Sequence, residues 1–391
     1  MSAVKPRVLL VGRTRYRLPL NPSLMRKFDA LSDRMELRVI ASAVAGPRSD
    51  DSVFRLVPPV RPRALDGLSF HLALPVRVAR ELRRFQPDVV LVQGAHEAAG
   101  VLLSRAFARS GTRVVVDVHG DWRVATRLYG SPARRVLNAL ADKLAVLAVR
   151  RADGLRTLSE FTSTLVREAG AEPTAVFPAF VDVERFLERP PEPLPTRPAV
   201  LFVGVLERYK NVDGLAAAWR VAAARVPSAE LRIVGTGSRK KVVEKLLRDL
   251  PAQTRWLPEL SADEVAAELD RATCLVLPSR REGMGRVVLE AFCRGRPVLG
   301  TRAGGIPDLV RDGENGVLID PDDVDQFADA LVRLLSDRPW AERLAAGARL
   351  AGERHSVDAR RYADSVLELV TAATRPVTAP ALPALGDSSF R

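Results

Sequence analysis

Cysteine is nearly missing from this chain: only Cys274 and Cys293 occur in 391 residues, without any metal-ligand spacing. That excludes a disulfide framework and a zinc module, and makes a reducing cytoplasm the expected compartment. No segment approaches the roughly 18–20 apolar residues that cross a bilayer. The first apolar run, Val8–Val11, is too short for a signal-peptide core, and Gly12 closes it as a strand end would. Toward a membrane, only peripheral attachment at the inner face stays open. Aromatic residues make up 5% of the chain, too few for base-stacking platforms, so no nucleic-acid partner is expected.

What is abundant is arginine, and it is unevenly spread. Residues 1–190 carry 31 Lys and Arg against 19 Asp and Glu, whereas residues 191–391 carry 29 against 28. A field of one sign over one half suits an anionic partner there, a phosphorylated substrate or anionic headgroups; a merely solvated basic face is the plainer alternative.

Short β-branched runs alternate with helical patterns. Val8–Val11, Leu37–Ile40, Val89–Val92, Val114–Val118 and Gly154–Thr157 read as strands, with helices over Leu74–Phe85 and Pro132–Arg151. The segment Arg189–Pro198 holds five prolines and cannot continue a helix or a central strand. Beyond it the alternation restarts, with strands over Ala199–Val203, Leu231–Val234, Thr273–Leu277, Pro297–Gly300 and Gly316–Ile319. The reading is α/β: a Rossmann-like domain over 1–189, a linker over 190–198 and a second Rossmann-like domain over 199–355. A helix over 356–371 and a structureless tail over 372–391 complete it.

Glycines follow strands at Gly12, Gly204 and Gly235, where the backbone can approach a phosphate or simply turn. More specific is the stretch Leu275–Asp308. A strand leads through Pro278-Ser-Arg-Arg-Glu282-Gly283-Met284-Gly285 into a helix over Arg286–Cys293. The N–H groups at such a helix start can face a pyrophosphate. Glu282 and Glu290 flank that position, and carboxylates suit hydroxyls rather than phosphate.

The stretch resembles the donor-site signature of the family 4 retaining glycosyltransferases (glycosyl transferases group 1), which have the GT-B fold of two Rossmann-like domains facing across a cleft. Leu201-Phe-Val-Gly204 with Lys210, Leu231–Gly237, Trp256–Leu260, Arg151–Gly154 with Ser159, and Val181–Phe186 are similar to further family segments. The resemblance implies a sugar moved from a nucleotide-diphosphate sugar to an acceptor hydroxyl, in glycolipid, polysaccharide or other glycoconjugate biosynthesis. It implies that Glu282 holds donor-sugar hydroxyls, Glu290 the ribose, and Lys210 with the N–H groups of Met284, Gly285, Arg286 and Val287 the diphosphate. Leu260 would touch the base through its backbone, and Gly12, Gly204, Gly235 and Gly283 would line the donor. His119 matches a histidine close to the transferred sugar. Arg13, Arg15, His96 and Asp121 are candidates on the acceptor side, where the partner is expected to be anionic, carbohydrate or lipid-linked. The helix over 356–371 would pack back on the first domain. Asp117-Val-His119 is not a D-x-D metal motif, and neither a metal nor another cofactor is expected.

Two departures stand out. Val205 occupies the position of a family arginine, leaving Arg208 or Arg13 to replace that contact. The first loop, Arg13-Thr-Arg15-Tyr-Arg17, lacks the usual paired glycines. A non-catalytic relative, a GT-B epimerase or phosphorylase and, less readily, a nucleic-acid binder are the alternatives. The helix over Pro132–Arg151, with leucines on one side and cations elsewhere, either faces the core or lies on an anionic membrane.

Overall fold

Runs such as Val89–Val92 are apolar without alternation, as strands covered on both faces require. The computed structural model, which describes residues 4–44, 51–60, 66–123 and 135–375, places them in two all-parallel sheets. In the first domain the chain runs β1 (Arg7–Tyr16), α1 (Pro22–Arg34), β2 (Glu36–Ala43), β3 (Phe54–Val57), α2 (Asp66–Arg84), β4 (Val89–Gln93) and α3 (Ala95–Ala108). It continues through β5 (Arg113–Val118), α4 (Arg135–Arg151), β6 (Gly154–Thr157), α5 (Glu160–Glu168) and β7 (Ala175–Val176). The sheet order is β3-β2-β1-β4-β5-β6-β7.

After α6 (Glu184–Leu187), the second domain carries β8 (Ala199–Val203), α7 (Val212–Arg225), β9 (Glu230–Val234), α8 (Lys240–Asp249), β10 (Thr254–Leu257), α9 (Ala262–Asp270) and β11 (Cys274–Leu277). Then follow α10 (Arg286–Cys293), β12 (Val298–Thr301), β13 (Gly316–Ile319), α11 (Val324–Ser336) and α12 (Arg338–His355), in a sheet ordered β10-β9-β8-β11-β12-β13. The last helix, α13 (Ala359–Thr374), returns to the first domain, where Tyr362, Val366, Leu369 and Val370 join the core beside α1 and the first sheet.

Several boundaries differ from expectation. Gly12 does not end the first strand: Arg15 and Tyr16 resume pairing with Ser42 and Ala43 of β2, carrying β1 past an irregularity to Tyr16. The helix expected from Leu74 starts at Asp66 and contains Pro75. Its buried stripe of Phe70, Leu74, Val78 and Leu82 passes through the proline, and burial at about 1.5–3 kcal/mol per large side chain outweighs the roughly 3 kcal/mol that an internal proline costs. The strands β3, β7 and β10 were not anticipated. All three are sheet edges, where one open side permits a mixed composition. The closing helix is shifted to Ala359–Thr374 because Asp358 caps it, accepting the Arg361 N–H at 2.7 Å, and because Ala373 extends the buried stripe. Residues 372–374, expected in the tail, are therefore helical. Residues 132–134 and 376–391 lie outside the described ones.

The proline-rich segment is held by three arginines of the second domain. Arg294 donates to the carbonyls of Arg189 (2.6 Å) and Pro190 (3.1 Å), Arg296 to Glu192 (2.8 Å), and Arg338 to Leu194 and Pro195 (both 3.0 Å). Carbonyls in so proline-dense a stretch have no strand partner, and guanidinium forks satisfy them. Burial pushes the Arg296 pKa down to about 10, against the opposing pull of Asp270, so it stays charged at neutral pH.

Candidate functional site

In an open parallel sheet, a crevice forms at the carboxyl ends where neighbouring strands connect in opposite directions. In the second sheet that point lies between β8 and β11. The segment after β8 carries Lys210, at the end of a short 3-10 turn; the segment after β11 carries Ser279 and Glu282. The two segments are stitched together by the Arg280 N–H, which donates to the Tyr209 carbonyl at 2.8 Å. Within the crevice the Lys210 ammonium donates to the Glu282 carboxylate, which also accepts from Ser279 Oγ at 3.3 Å. Sequence reasoning set Lys210 on phosphate and Glu282 on sugar hydroxyls. The structure brings them into one ion pair, both side chains mostly buried. Beside them, a Cβ on Gly235 would stand 2.0 Å from the Gly204 carbonyl oxygen at φ +130°, so these two expected glycines meet backbone to backbone. Val205 is half exposed, and Arg208 is exposed one residue before Tyr209.

Gly285 enters α10 in the left-handed region at φ +73°, and the first turn closes from the Val288 N–H to the Gly285 carbonyl at 2.9 Å. The N–H groups ahead of Val288 have no intrahelical acceptor. Met284 is buried in the core, and Val287 and Leu260 pack against the same cluster. Arg286 is exposed. Glu290 sits at the fifth position of α10; burial pushes its carboxyl pKa up, with Arg286 partly opposing. Among the described residues no hydrogen bond or ion pair engages that carboxyl.

The first domain closes over this crevice. A Cβ on Gly283 would lie 2.1 Å from the His119 carbonyl oxygen, so His119–Gly120 rest directly on the Glu282–Gly283 backbone. From the other side, Gly304 and Gly305 press on the same backbone: a Cβ on either would be 2.2 Å from the carbonyl oxygens of Glu282 and Gly283 respectively. Ser159 Oγ donates to the Gly283 carbonyl at 3.0 Å, and Arg281 pairs with Asp121 at 3.2 Å.

His119 is held by two residues that sequence reasoning did not assign. Its Nε2 bonds Asp117 Oδ2 at 2.7 Å, and the same oxygen accepts from Arg156 at 2.7 Å. Asp117 and His119 are two apart at the end of β5, so the strand's alternation puts both on one side; that spacing was the available signal. Arg156 lies on β6, fully buried, with its guanidinium 4.0 Å from the Phe177 ring centroid and 5.6 Å from that of Tyr362. Burial alone would raise the Asp117 carboxyl; Arg156 and His119 overturn that and hold it at about 2. Asp117 is therefore an acceptor, and the His119 Nε2–H donates to it. A folded pKa of about 2, below the unfolded value of 3.8, contributes stability that is present above about pH 4 and lost as pH falls toward 2. The contribution is on the order of 2 kcal/mol. In acid unfolding followed by circular dichroism, the wild type is expected to show this step and Asp117→Asn to lack it. Equal acid profiles would contradict the assignment.

A cavity of about 710 Å³ opens beside His119 at the corresponding crevice of the first sheet, between β1 and β4. Arg13, His71, His96, Glu97, Asp121 and Trp122 line it. Of the four acceptor-side candidates, Arg13, His96 and Asp121 line this cavity. Arg15 does not: it pairs with Asp66 at 2.6 Å, outside the cavity, because its side chain lies beyond the irregularity in β1. Gly12 packs against the Gln93 side chain.

Residues 184–351 match the family model described as glycosyl transferases group 1, and residues 24–185 match that of glycosyltransferase family 4. A mannosyltransferase of Mycolicibacterium smegmatis, named as GDP-mannose-dependent and acting on phosphatidylinositol monomannoside, is 32% identical over 72% of this chain and 76% of its own length. The chain is a group 1 glycosyltransferase. The plant sulfoquinovosyl transferase SQD2 of Arabidopsis thaliana is 29% identical over 73% of this glycosyltransferase, which spans 57% of the plant protein. Sucrose-phosphate synthase from Thermosynechococcus elongatus superposes with a TM-score of 0.73 at 18% identity, over 93% of this chain and 98% of that one. HepE of Anabaena, solved with UDP, gives 0.67 at 17% identity, over 94% and 100%. These likenesses establish the GT-B fold for the glycosyltransferase.

Proposed function

We propose that this glycosyltransferase is a retaining enzyme that uses a nucleotide-diphosphate sugar, and that its donor lies between Lys210, Glu282, Glu290 and the start of α10. The observation that carries the reading is the convergence of Lys210, Glu282 and a helix N-terminus on one crevice, opposite His119. When the bond from the anomeric carbon to the diphosphate oxygen breaks, negative charge grows on that oxygen. Lys210 and the N–H groups of Met284–Val287 would stabilise it. The acceptor hydroxyl then forms its bond to the same carbon on the same face, and its proton passes to the leaving diphosphate. No protein nucleophile and no metal enters this scheme. Glu282, released from Lys210 as phosphate takes the ammonium, would hold sugar hydroxyls; Glu290, whose carboxyl no hydrogen bond or ion pair engages among the described residues, would bind the ribose. His119, oriented by Asp117, offers Nδ1 to the transferred sugar or the acceptor.

The acceptor is proposed to occupy the cavity lined by Arg13 and His96, and to be an anionic, carbohydrate or lipid-linked hydroxyl compound. The named acceptor of the mycobacterial relative and the UDP bound by HepE support both halves of the reading. The work is assigned to the cytoplasm, at the inner face of the membrane.

The test is thermal unfolding with UDP, GDP and ADP sugars. One of them is expected to raise the transition by a few degrees at saturating concentration, by mass action on the folded state. Glu290→Ala is expected to lose that rise. If no nucleotide stabilises the wild type, the donor site is wrongly assigned. An epimerised sugar nucleotide appearing without an acceptor would instead favour an epimerase.

A further inference from the structure

The outward positions of three neighbouring helices in the first domain have an unusual composition. On α2 the exposed residues are Leu68, Leu72, Val76, Arg80, Arg83 and Arg84. On α3 they are Leu103, Ala106 and Phe107. Along the described side chains of α4 they are Ala139, Leu140, Lys143, Leu144, Leu147, Arg150 and Arg151. None of these positions carries a carboxylate or a neutral polar group. The helices are in contact in the order α2, α3, α4, so the positions belong to one side of the domain. On α11 of the second domain, by contrast, the exposed residues are Asp325, Gln326, Asp329, Arg333 and Ser336, the ordinary mixture of a solvated helix.

The carboxylates that α2 and α4 do possess are turned to other uses. Asp66 pairs with Arg15, Glu81 is buried against Arg38, and Asp142 faces His96. Phe107 is 72% exposed and Leu72 71%, so these side chains stand in solvent rather than in a groove of this chain. Leucines spaced at helical intervals, interleaved with cations and free of acids, match the chemistry of the boundary between lipid tails and anionic headgroups.

The place of this side matters as much as its composition. The acceptor cavity is walled by His71 of α2 and by Ala141 and Leu144 of α4, so it opens between two of the helices that carry the apolar stripes. We propose that this side of the first domain docks on an anionic lipid bilayer, so that the cavity receives the polar head of a lipid-linked acceptor while its tails stay in the membrane. The inference rests on the reading of the acceptor as lipid-linked, and it names the surface that would deliver it.

The test is sedimentation of the full chain with vesicles of phosphatidylglycerol and phosphatidylcholine, against vesicles of phosphatidylcholine alone. Binding is expected to the anionic vesicles at low salt, to weaken as salt screens the headgroups, and to be at least about tenfold weaker on the neutral vesicles. Leu72→Gln with Phe107→Gln and Leu140→Gln, none of which lines the cavity, should lower binding at least about tenfold. Arg84→Glu with Lys143→Glu should lower it by at least about fivefold per cation. Nucleotide-dependent thermal stabilisation, measured on the same variants, shows that they remain folded. The proposal is overturned if the wild type ignores anionic vesicles, or if folded variants bind as it does. It is equally overturned if analytical ultracentrifugation finds a dimer that the leucine variant dissociates, since a second copy then covers this side. Vesicle binding without any nucleotide stabilisation would leave the surface standing and remove the donor reading instead.

Discussion

Replacing Lys210 with alanine is expected to lower kcat by about 10²–10³, the loss that follows removal of one preorganised group facing a developing oxyanion. Lys210 sits in a mostly buried crevice, where water screens its charge poorly, so its interaction with the proposed diphosphate would be correspondingly strong. The variant removes a second thing as well. Glu282 would keep only the Ser279 hydroxyl, and an uncompensated carboxylate in such a place costs about 3–5 kcal/mol if it stays ionised. The two consequences can be separated. Lys210→Ala combined with Glu282→Gln should recover stability toward the wild type in denaturant unfolding, yet remain inactive. Slow donor hydrolysis, measured without acceptor, reads the leaving-group contribution alone. A loss of turnover below tenfold in Lys210→Ala would take Lys210 out of the diphosphate site.

Gly283→Ala is expected to be nearly as damaging, for a steric reason. The added methyl would sit 2.1 Å from the His119 carbonyl oxygen and 3.6 Å from the Gly120 Cα. Those are backbone atoms at the end of a buried strand and cannot step aside as a flexible side chain would. Gly304 and Gly305 block retreat in the other direction. The domains must therefore part by an ångström or more, and a displacement of that size between reacting groups costs about 10²-fold in rate. Nucleotide affinity should fall less than turnover, because Lys210, Glu290 and the start of α10 all belong to the second domain and stay together. The expected signature is a kcat reduced about 10²-fold with a smaller loss of donor binding. Gly111→Ala is a suitable control: nothing lies within 4 Å of its added methyl, and it should be silent. Wild-type turnover in Gly283→Ala would mean that the close approach of His119 to Gly283 is not needed for the chemistry.

The architecture was legible because it depends on patterns that local sequence carries. Every strand expected from a β-branched run was found, since a central parallel strand is apolar along its whole length, as Val89–Val92 and Leu275–Leu277 are. The glycine-rich turn before α10 was legible for the same kind of reason: Gly285 adopts a backbone conformation that other residues avoid. What stayed hidden depended on distant parts of the chain. Nothing near Asp117 announces that Arg156 will reach the same carboxylate from the next strand. Nor could Arg294 and Arg296, two of the 29 cations in a nearly neutral half, be known to be buried against the linker. The meeting of Lys210 with Glu282, 72 residues apart, is a product of strand order. Arg15 misled for the converse reason, since its partner Asp66 lies on another element.

The arginine clasp on the proline-rich segment bears on how the two halves can swing. Because Arg294, Arg296 and Arg338 bind that segment to the second domain, it travels with that domain and cannot serve as a free joint. Upstream, Val181, Val183 and Phe186 already belong to the second domain's core, while Phe180 packs with Tyr362 in the first. The chain thus changes allegiance over residues 179–181, where Ala179 and Val181 pack against the second domain's core and Phe180 against the first. It changes back within a few residues of Ser356, since Ala351 packs in the second domain and Val357 in the first. Two such narrow crossings define an axle. A rotation of one half against the other is expected to bend the chain at these crossings, as a hinge rather than by sliding of packed helices. Arg156 donates to the Phe177 and Pro178 carbonyls with one arm of its fork and to Asp117 with the other, so the orientation of His119 is set from the segment just ahead of the first crossing.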